Sequence, residues 1–375
     1  MPIAISFFSG AGGLDMGIME AGFDIRLAVE IEKKYCETLR INHPYLNVVQ
    51  GDIMEYDARR VYQEANMAMG EQIDLIFGGS PCQSFSTAGR RQAFSDPRGR
   101  TMLKFAELVN EIQPKAFLLE NVRGLLSAAL KHRPLKQRGK EHPPLSEEEQ
   151  PGSALRYLLS RFRGYSIKYQ LINAADYGIP QTRERVFMVG IRSDLGIEYE
   201  FPQPTHSRNP KKGQKRWVTL GEVLSKIDIK EHHYLPYTEE RLKLMKLIPK
   251  GGGNWRDLPK DVVEQAMGGA YHSDGGKVGF YRRLWVDKPS PTLMTSPNQK
   301  STNLGHPYED RPLSIEEYKA IQGFPLDYQL VGSLPEQYVQ IGNAVPIKLA
   351  KIIGQSIFEA LKPTLQNMEH ELVSV

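Results

Sequence analysis

An α/β fold is predicted for this chain: a doubly wound sheet domain with a smaller loop- and β-rich domain. Three observations predict it. Short apolar runs alternate with amphipathic, helix-like segments as far as Gly190. Several of those runs are continuously apolar, as strands buried on both faces should be. After Asp194 the rhythm stops, and Pro, Gly, His and aromatic residues accumulate.

The elements follow in order. Strands are expected at residues 4–8, 26–30, 48–49, 73–77, 116–119, 165–172 and 185–190, and helices at 14–21, 33–42, 101–112 and 153–162. Residues 130–152 are rich in Pro, Lys and Glu and read as an inserted surface loop. Gly251-Gly252-Gly253, Gly268-Gly269 and Gly275-Gly276 punctuate the later region. Helical character returns at 314–321, where Ser314 and Glu317 have capping-box spacing, and again at 347–361. The expected division is 1–195 with 325–375 for the large domain and 196–324 for the small one.

Composition sets bounds. The 375 residues can bury a sizeable core, with 40% hydrophobic and 25% charged residues. No stretch approaches the apolar length of a membrane span, and Met1 leads into a strand-like run without a signal-peptide pattern. The two cysteines, Cys36 and Cys82, form no metal-ligand cluster, so no metal is expected and a reducing, cytoplasmic setting is. Net charge is +4, compatible with a nucleic acid partner but no proof of one. Two basic patches stand out. Lys131 to Lys140 lies in the inserted loop and reads as solvated. For Lys211-Lys212 with Lys215-Arg216-Trp217, a solvated loop and a binding surface are equally good readings.

Chemistry concentrates at strand exits. Phe7-Phe8-Ser9-Gly10-Ala11-Gly12-Gly13 is a Gly-rich turn between the first strand and first helix. Glu30 stands twenty positions after Gly10, where an acid can accept ribose hydroxyls, and Asp52 follows the third strand. The spacing is G-x-G-G, not the dinucleotide G-x-G-x-x-G, and Asp15 in the first helical turn would repel a pyrophosphate. An adenosine ligand without phosphate fits better. Farther on, Ser80-Pro81-Cys82-Gln83 leaves the fourth strand and Glu120-Asn121-Val122 the fifth. A thiol and a carboxyl at one sheet edge suit nucleophilic attack with proton handling. Cys36 lies on a helix-like segment and reads as a small buried hydrophobe. Arg183 and Arg185, two apart on a strand, are expected to share the face beside Glu120.

Pro81-Cys82-Gln83, Glu120-Asn121-Val122, Gln181-Thr182-Arg183-Glu184-Arg185 and Gly342-Asn343-Ala344-Val345 stand in the order seen in DNA (cytosine-5)-methyltransferases. The chain resembles that family, in its bacterial restriction-modification form, from residue 3 to residue 353. The resemblance implies a Rossmann-like methyltransferase sheet domain, S-adenosyl-L-methionine as cofactor, and a target-recognition domain. It implies methylation of C5 of a cytosine in a short duplex DNA sequence, with base flipping and a covalent bond from Cys82 to C6. Glu120 and Arg185 then hold the ring, with Arg183 beside them. Phe8, Gly10, Gly12, Gly13, Glu30, Ile31, Asp52, Ile53, Pro81, Asn343 and Val345 form the cofactor set. Gln83, Ser86 and Arg98 in the loop after the nucleophile, and Thr292 and Leu293, are expected against DNA. Asn254, Arg256 and Arg282 are candidate DNA contacts by residue type. A cognate endonuclease would be a functional partner only, and one site per chain requires no oligomer. The rival readings are a cytosine-5 methyltransferase acting on tRNA and a catalytically silent DNA-binding member of the fold. More distant is an NAD oxidoreductase.

Overall fold

The computed structural model describes residues 1–81, 93–139, 141–273 and 275–373, and only the backbone at 95, 98, 135 and 366–373. Its contacts divide the chain into two compact units. The first comprises Met1–Ile172, Glu184–Gln203 and Ala350–Val375; the second comprises Asn173–Arg183 and Pro204–Leu349. These boundaries differ from the expected 195/196 and 324/325 at three places, since residues 196–203 also stay with the first unit. Residues 173–183 and 325–349 pack within the second unit, because their contacts run to segments inside it.

All seven expected strands form one sheet. They are β1 (Ile3–Phe7), β2 (Asp24–Glu30), β3 (Val48–Gln50), β4 (Leu75–Gly79), β5 (Ala116–Val122), β6 (Tyr165–Asn173) and, after the two-residue β7 (Gln181–Thr182), β8 (Glu184–Arg192). The order is β3-β2-β1-β4-β5-β8-β6. The five strands from β3 to β5 are parallel and β8 runs antiparallel to β5. Between strands come α1 (Gly13–Glu20), α2 (Lys33–Asn42), α3 (Ala58–Glu64), α4 (Pro97–Ile112) and α5 (Ser153–Leu159).

The central strands are buried as their composition requires: Leu75, Ile76, Phe77, Phe117, Leu118 and Leu119 are all fully inaccessible. Phe105 of α4 packs edge-on against both Phe7 and Phe117, and Phe117 stacks on Phe162 at 4.1 Å. Each such side chain contributes about 1.5–3 kcal/mol by leaving water. The strand ends therefore sit on a rigid floor. The inserted loop is tied at its neck, where Arg133 forms a two-pronged pair with Glu149 and Lys131 meets Glu148.

The second unit is more helical than expected. It holds α6 (Leu220–Leu224), α7 (Glu239–Leu247), α8 (Lys260–Met267), α9 (Ile315–Gln322), α10 (Leu334–Asn343) and the start of α11 (Ile347–Val373). Its described strands are two-residue pairs: β9 (His206–Ser207) with β10 (Lys215–Arg216), and β11 (Ser290–Pro291) with β7. Helices of two turns carry too little periodicity to stand out beside glycines and prolines. Two of them open on threonine caps: Thr219 accepts from Glu222 N–H, and Thr238 from Arg241 N–H. The capping box at Ser314 and Glu317 forms as expected.

At the centre of this unit lies Arg283, fully buried. Its guanidinium donates to the carbonyls of Met245, His306 and Glu309 and to Asp310. A charge so deep persists only because these acceptors replace water around it.

Candidate active site

The strand order reverses between β1 and β4, since β2 and β3 lie on one side and β5, β8 and β6 on the other. Ligands of open α/β sheets bind beyond the carboxyl ends of the strands at such a point. The segments leaving here are the Gly-rich turn after β1 and Ser80-Pro81 after β4. Gly78 lets the two strands close up. A Cβ there would lie 2.5 Å from the Phe7 carbonyl oxygen and 3.0 Å from the Phe8 ring.

Phe8 holds a φ of +59°, a conformation costing a bulky residue on the order of 1–3 kcal/mol. Its ring is half-buried and packs on the core. Gly10, with φ +55°, has open space where a Cβ would stand. The turn closes through Gly12 N–H to the Ser9 carbonyl at 2.9 Å, and Gly13 opens α1. Glu30 accepts from Gly10 N–H at 2.8 Å and from Glu32 N–H at 2.9 Å, one bond to each oxygen. Burial pushes its carboxyl up from the usual range. No cation among the described residues pairs with it. Ile31 beside it exposes 56% of its surface. Asp52 uses Oδ1 to cap the following turn at Met54 N–H, and Ile53 is buried in the core. Cys36 is a buried thiol, as expected, donating to the Glu30 carbonyl oxygen; burial pushes it up to about 11.

Asp15 had entered only as an electrostatic objection to phosphate. In the structure it is fully buried, near Ser6 and Ser9, and neither carboxylate oxygen accepts a hydrogen bond of ordinary geometry. Burial pushes its carboxyl up to about 6.

The second corner lies where β4, β5 and β8 meet. Gly79 stands opposite Glu120 in the parallel register, and Val122 stands opposite Arg185 in the antiparallel one. Glu120 and Arg185 are diagonal neighbours on one face, and Arg185 Nε meets Glu120 Oε1 at 3.0 Å. Asn121 points the other way. Its Nδ2 donates to Ser80 Oγ at 2.9 Å, and more weakly to the Ser80 carbonyl at 3.3 Å. Ser80 thus joins the site as a residue the sequence reading passed over. Nothing in the local sequence marks it, because its partner is 41 positions away. Pro81 is the last described residue before residue 93. Cys82, Gln83 and Ser86 lie outside the described residues. Arg98 falls in the first turn of α4, with only its backbone described.

Arg183 corrects an expectation. It was to share a face with Arg185, but it lies in the break between β7 and β8, so strand alternation does not carry through it. It is 1% exposed and donates to the carbonyls of Gly342 and Asn343 at 2.9 and 3.0 Å. Those carbonyls belong to the end of α10, where a guanidinium satisfies acceptors the helix leaves open. Arg183 is a positioning residue of the second unit. Asn343 is exposed at the last position of α10, and Val345 is buried.

Several residues expected against DNA also make hydrogen bonds inside the fold. Asn254 is buried and caps its turn, accepting from Arg256 N–H at 3.0 Å. Arg282 donates to the Asn303 carbonyl, and burial pulls it down to about 10. Thr292 Oγ1 donates to the Thr182 carbonyl, while Leu293 is buried and its N–H donates to Gln181 Oε1. Residue type suggested contact; in the structure Asn254 and Leu293 are buried, Arg282 and Thr292 are half-buried, and each of the four makes a hydrogen bond inside the fold. Arg256 alone of this set is exposed, its guanidinium 4.9 Å from the Trp255 ring centre.

This sheet order, with a Gly-rich first turn and titratable groups at neighbouring strand ends, defines the Rossmann-like methyltransferase class. Solved structures agree on the fold. A prophage-encoded Escherichia coli protein described as a DNA modification methyltransferase superposes with a TM-score of 0.65 at 24% identity, covering 96% of this chain and all of that one. Within the class, the family model for C-5 cytosine-specific DNA methylase matches residues 3–359, and the chain belongs to that family. It is similar to the type II methyltransferase M.Sau96I of Staphylococcus aureus, 39% identical over 356 residues, 94% of this chain and 75% of that protein. It is also 36% identical to M.Eco47II of Escherichia coli over 360 residues, 95% of this chain and 79% of that protein. The chain is a DNA cytosine-5 methyltransferase.

Proposed function

We propose that the enzyme transfers a methyl group from S-adenosyl-L-methionine to C5 of one cytosine in a short duplex sequence, through a covalent Cys82–C6 adduct on a flipped base. One observation carries this reading. Asn121 ties Ser80, two residues before Cys82, to the strand that bears the Glu120–Arg185 pair.

C5 of cytosine is a poor nucleophile. Addition of the Cys82 thiolate to C6 makes C5 an enamine carbon. After methylation, loss of the C5 proton and expulsion of the thiolate restore the ring. Glu120 shares a proton with N3 so that the ring accepts electrons, and Arg185 orients Glu120 and supplies donors toward O2. A base in this chemistry leaves the stack, because C5 and C6 cannot be reached from both faces inside a duplex.

The cofactor supplies a sulfonium methyl when bound, and the residues present fit it. Glu30 is already aligned by two backbone N–H groups and has lone pairs left for ribose hydroxyls. Open space at Gly10 and the exposed apolar surface of Ile31 suit a purine nucleoside. The lack of a cation beside Glu30 among the described residues and the buried Asp15 disfavour a phosphate. The large unit is then the catalytic part and the second unit the part that reads DNA.

Covalent trapping tests this reading. The protein, S-adenosyl-L-methionine and a mixed-sequence duplex carrying 5-fluorocytosine are run on a denaturing gel. Fluorine at C5 blocks the final proton loss. A shifted band that disappears in Cys82→Ala is the expected result. No band on DNA rich in short sites would overturn the reading and favour tRNA, tried in parallel.

A further inference from the structure

We infer that the ribbon formed by residues 204–217 is a second, sequence-independent contact with the phosphate backbone of duplex DNA. This inference rests on the proposed substrate and adds to it a surface made by none of the residues proposed for base contact or chemistry.

The composition is one-sided. The fourteen residues hold Arg208, Lys211, Lys212, Lys215 and Arg216, and no Asp or Glu. All five cations are exposed, and none forms an ion pair with a carboxylate among the described residues. Three cations elsewhere in the second unit do sit against carboxylates: Lys250 and Arg283 against Asp310, Arg311 against Glu309 and Glu317. A run of unpaired cations costs self-repulsion. His206 registers that field. Its imidazole is held below the usual range, first by burial and then by the charges of Lys348 and Lys215.

The segment is also built, which a merely solvated loop need not be. β9 pairs with β10, His206 opposite Lys215 and Ser207 opposite Arg216. Lys215 N–H donates to the Thr205 carbonyl and Trp217 N–H to the Ser207 carbonyl. The connecting turn is closed by Gln214 N–H to the Lys211 carbonyl, and by Lys211 N–H to Gln214 Oε1. Trp217 anchors the base of the ribbon, its indole N–H on Asp176 Oδ1 at 2.8 Å, and Thr205 N–H donates to the Asp176 carbonyl. The charges thus stand on a fixed frame, which lowers the entropy lost when they engage a regular anion array. The duplex presents such an array, one charge per ~1.7 Å of axis, and rewards each contact with released counterions.

Salt titration tests it. Duplex affinity is measured against salt concentration for the wild type and for R208Q/K211Q/K212Q/K215Q/R216Q, on DNA with and without a methylated site. Each phosphate contact contributes ~0.9 to the slope of log affinity against log salt, so the slope is expected to fall by ~3–4 on both duplexes. The set of sites methylated and kcat at saturating DNA should stay as in the wild type. K211R/K212R/K215R, which keeps charge, should retain the wild-type slope, separating charge from folding. An unchanged slope in a variant that melts like the wild type overturns the inference while leaving the proposed function standing. Wild-type protein without salt-dependent duplex binding overturns both, and the trapping gel then shows whether the chemistry fails as well.

Discussion

Two buried carboxylates stand at the same edge of the sheet and are held in opposite ways. Glu30, at the end of β2, is 7% exposed and aligned by the N–H groups of Gly10 and Glu32. Glu120, in β5, is 7% exposed and faces the guanidinium of Arg185. Backbone donors fix an acceptor without neutralising it, which suits ligand hydroxyls. A guanidinium supplies a counter-charge and a fixed direction, which suits a group that must share a proton during reaction. The difference teaches that burial alone does not assign a role to an acid; its partners do.

Substitution at Glu120 should break the comparison most visibly. Glu120→Gln keeps the shape but not the proton exchange, and a loss of kcat of ~100-fold or more is expected, the scale of a lost acid–base group. Cofactor affinity, read by calorimetry, should stay near the wild-type value. A variant that turned over normally would remove Glu120 from the chemistry.

Glu30→Gln should do the reverse. Losing a charged acceptor is expected to weaken cofactor binding by ~10–100-fold. The value of kcat at saturating cofactor should change far less. Should both variants shift the same constant, the two corners would not be separate in function.

A smaller effect sharpens the same contrast. Asp15 is a third buried acid, lifted from 3.8 to about 6 by its surroundings. A raised folded-state value means that the native state holds the proton more tightly than the unfolded chain. The stability this contributes is complete below the unfolded value near 3.8 and is lost as pH rises through about 6. The size is on the order of 3 kcal/mol for a group so buried. Asp15→Asn should therefore flatten the melting temperature between about pH 4 and pH 6. Some slope should persist from Glu30, which burial also lifts. A variant with the full wild-type slope would show that Asp15 does not titrate there.

The neighbouring arginines repeat the lesson at closer range. Arg183 and Arg185 look equivalent in sequence, two apart in one motif. Arg185 belongs to β8, and the antiparallel register carries it to Glu120. Arg183 falls one residue before that strand begins, and α10 takes its guanidinium instead. Alternation is a rule inside a strand and says nothing across a break in one.

The sequence by itself determined the large sheet, because each strand is a short apolar run and each exit carries its own signal. The Gly-rich turn, Glu30 twenty positions on, and the Cys82 and Glu120 segments all depend on local chemistry. Local patterns also marked the capping box at Ser314 and the inserted loop. Tertiary structure decided which polar groups face inward. Asn254, Arg282 and Thr292 are polar enough to meet DNA, yet each makes a hydrogen bond within the fold. It also decided Ser80, claimed by Asn121 from 41 positions away, and Asp15, buried without a firm partner. Pairing between distant segments has no local signature. Strand order and register bring such partners together, and only then does the cost of leaving a buried donor or acceptor unpaired select the contacts that form.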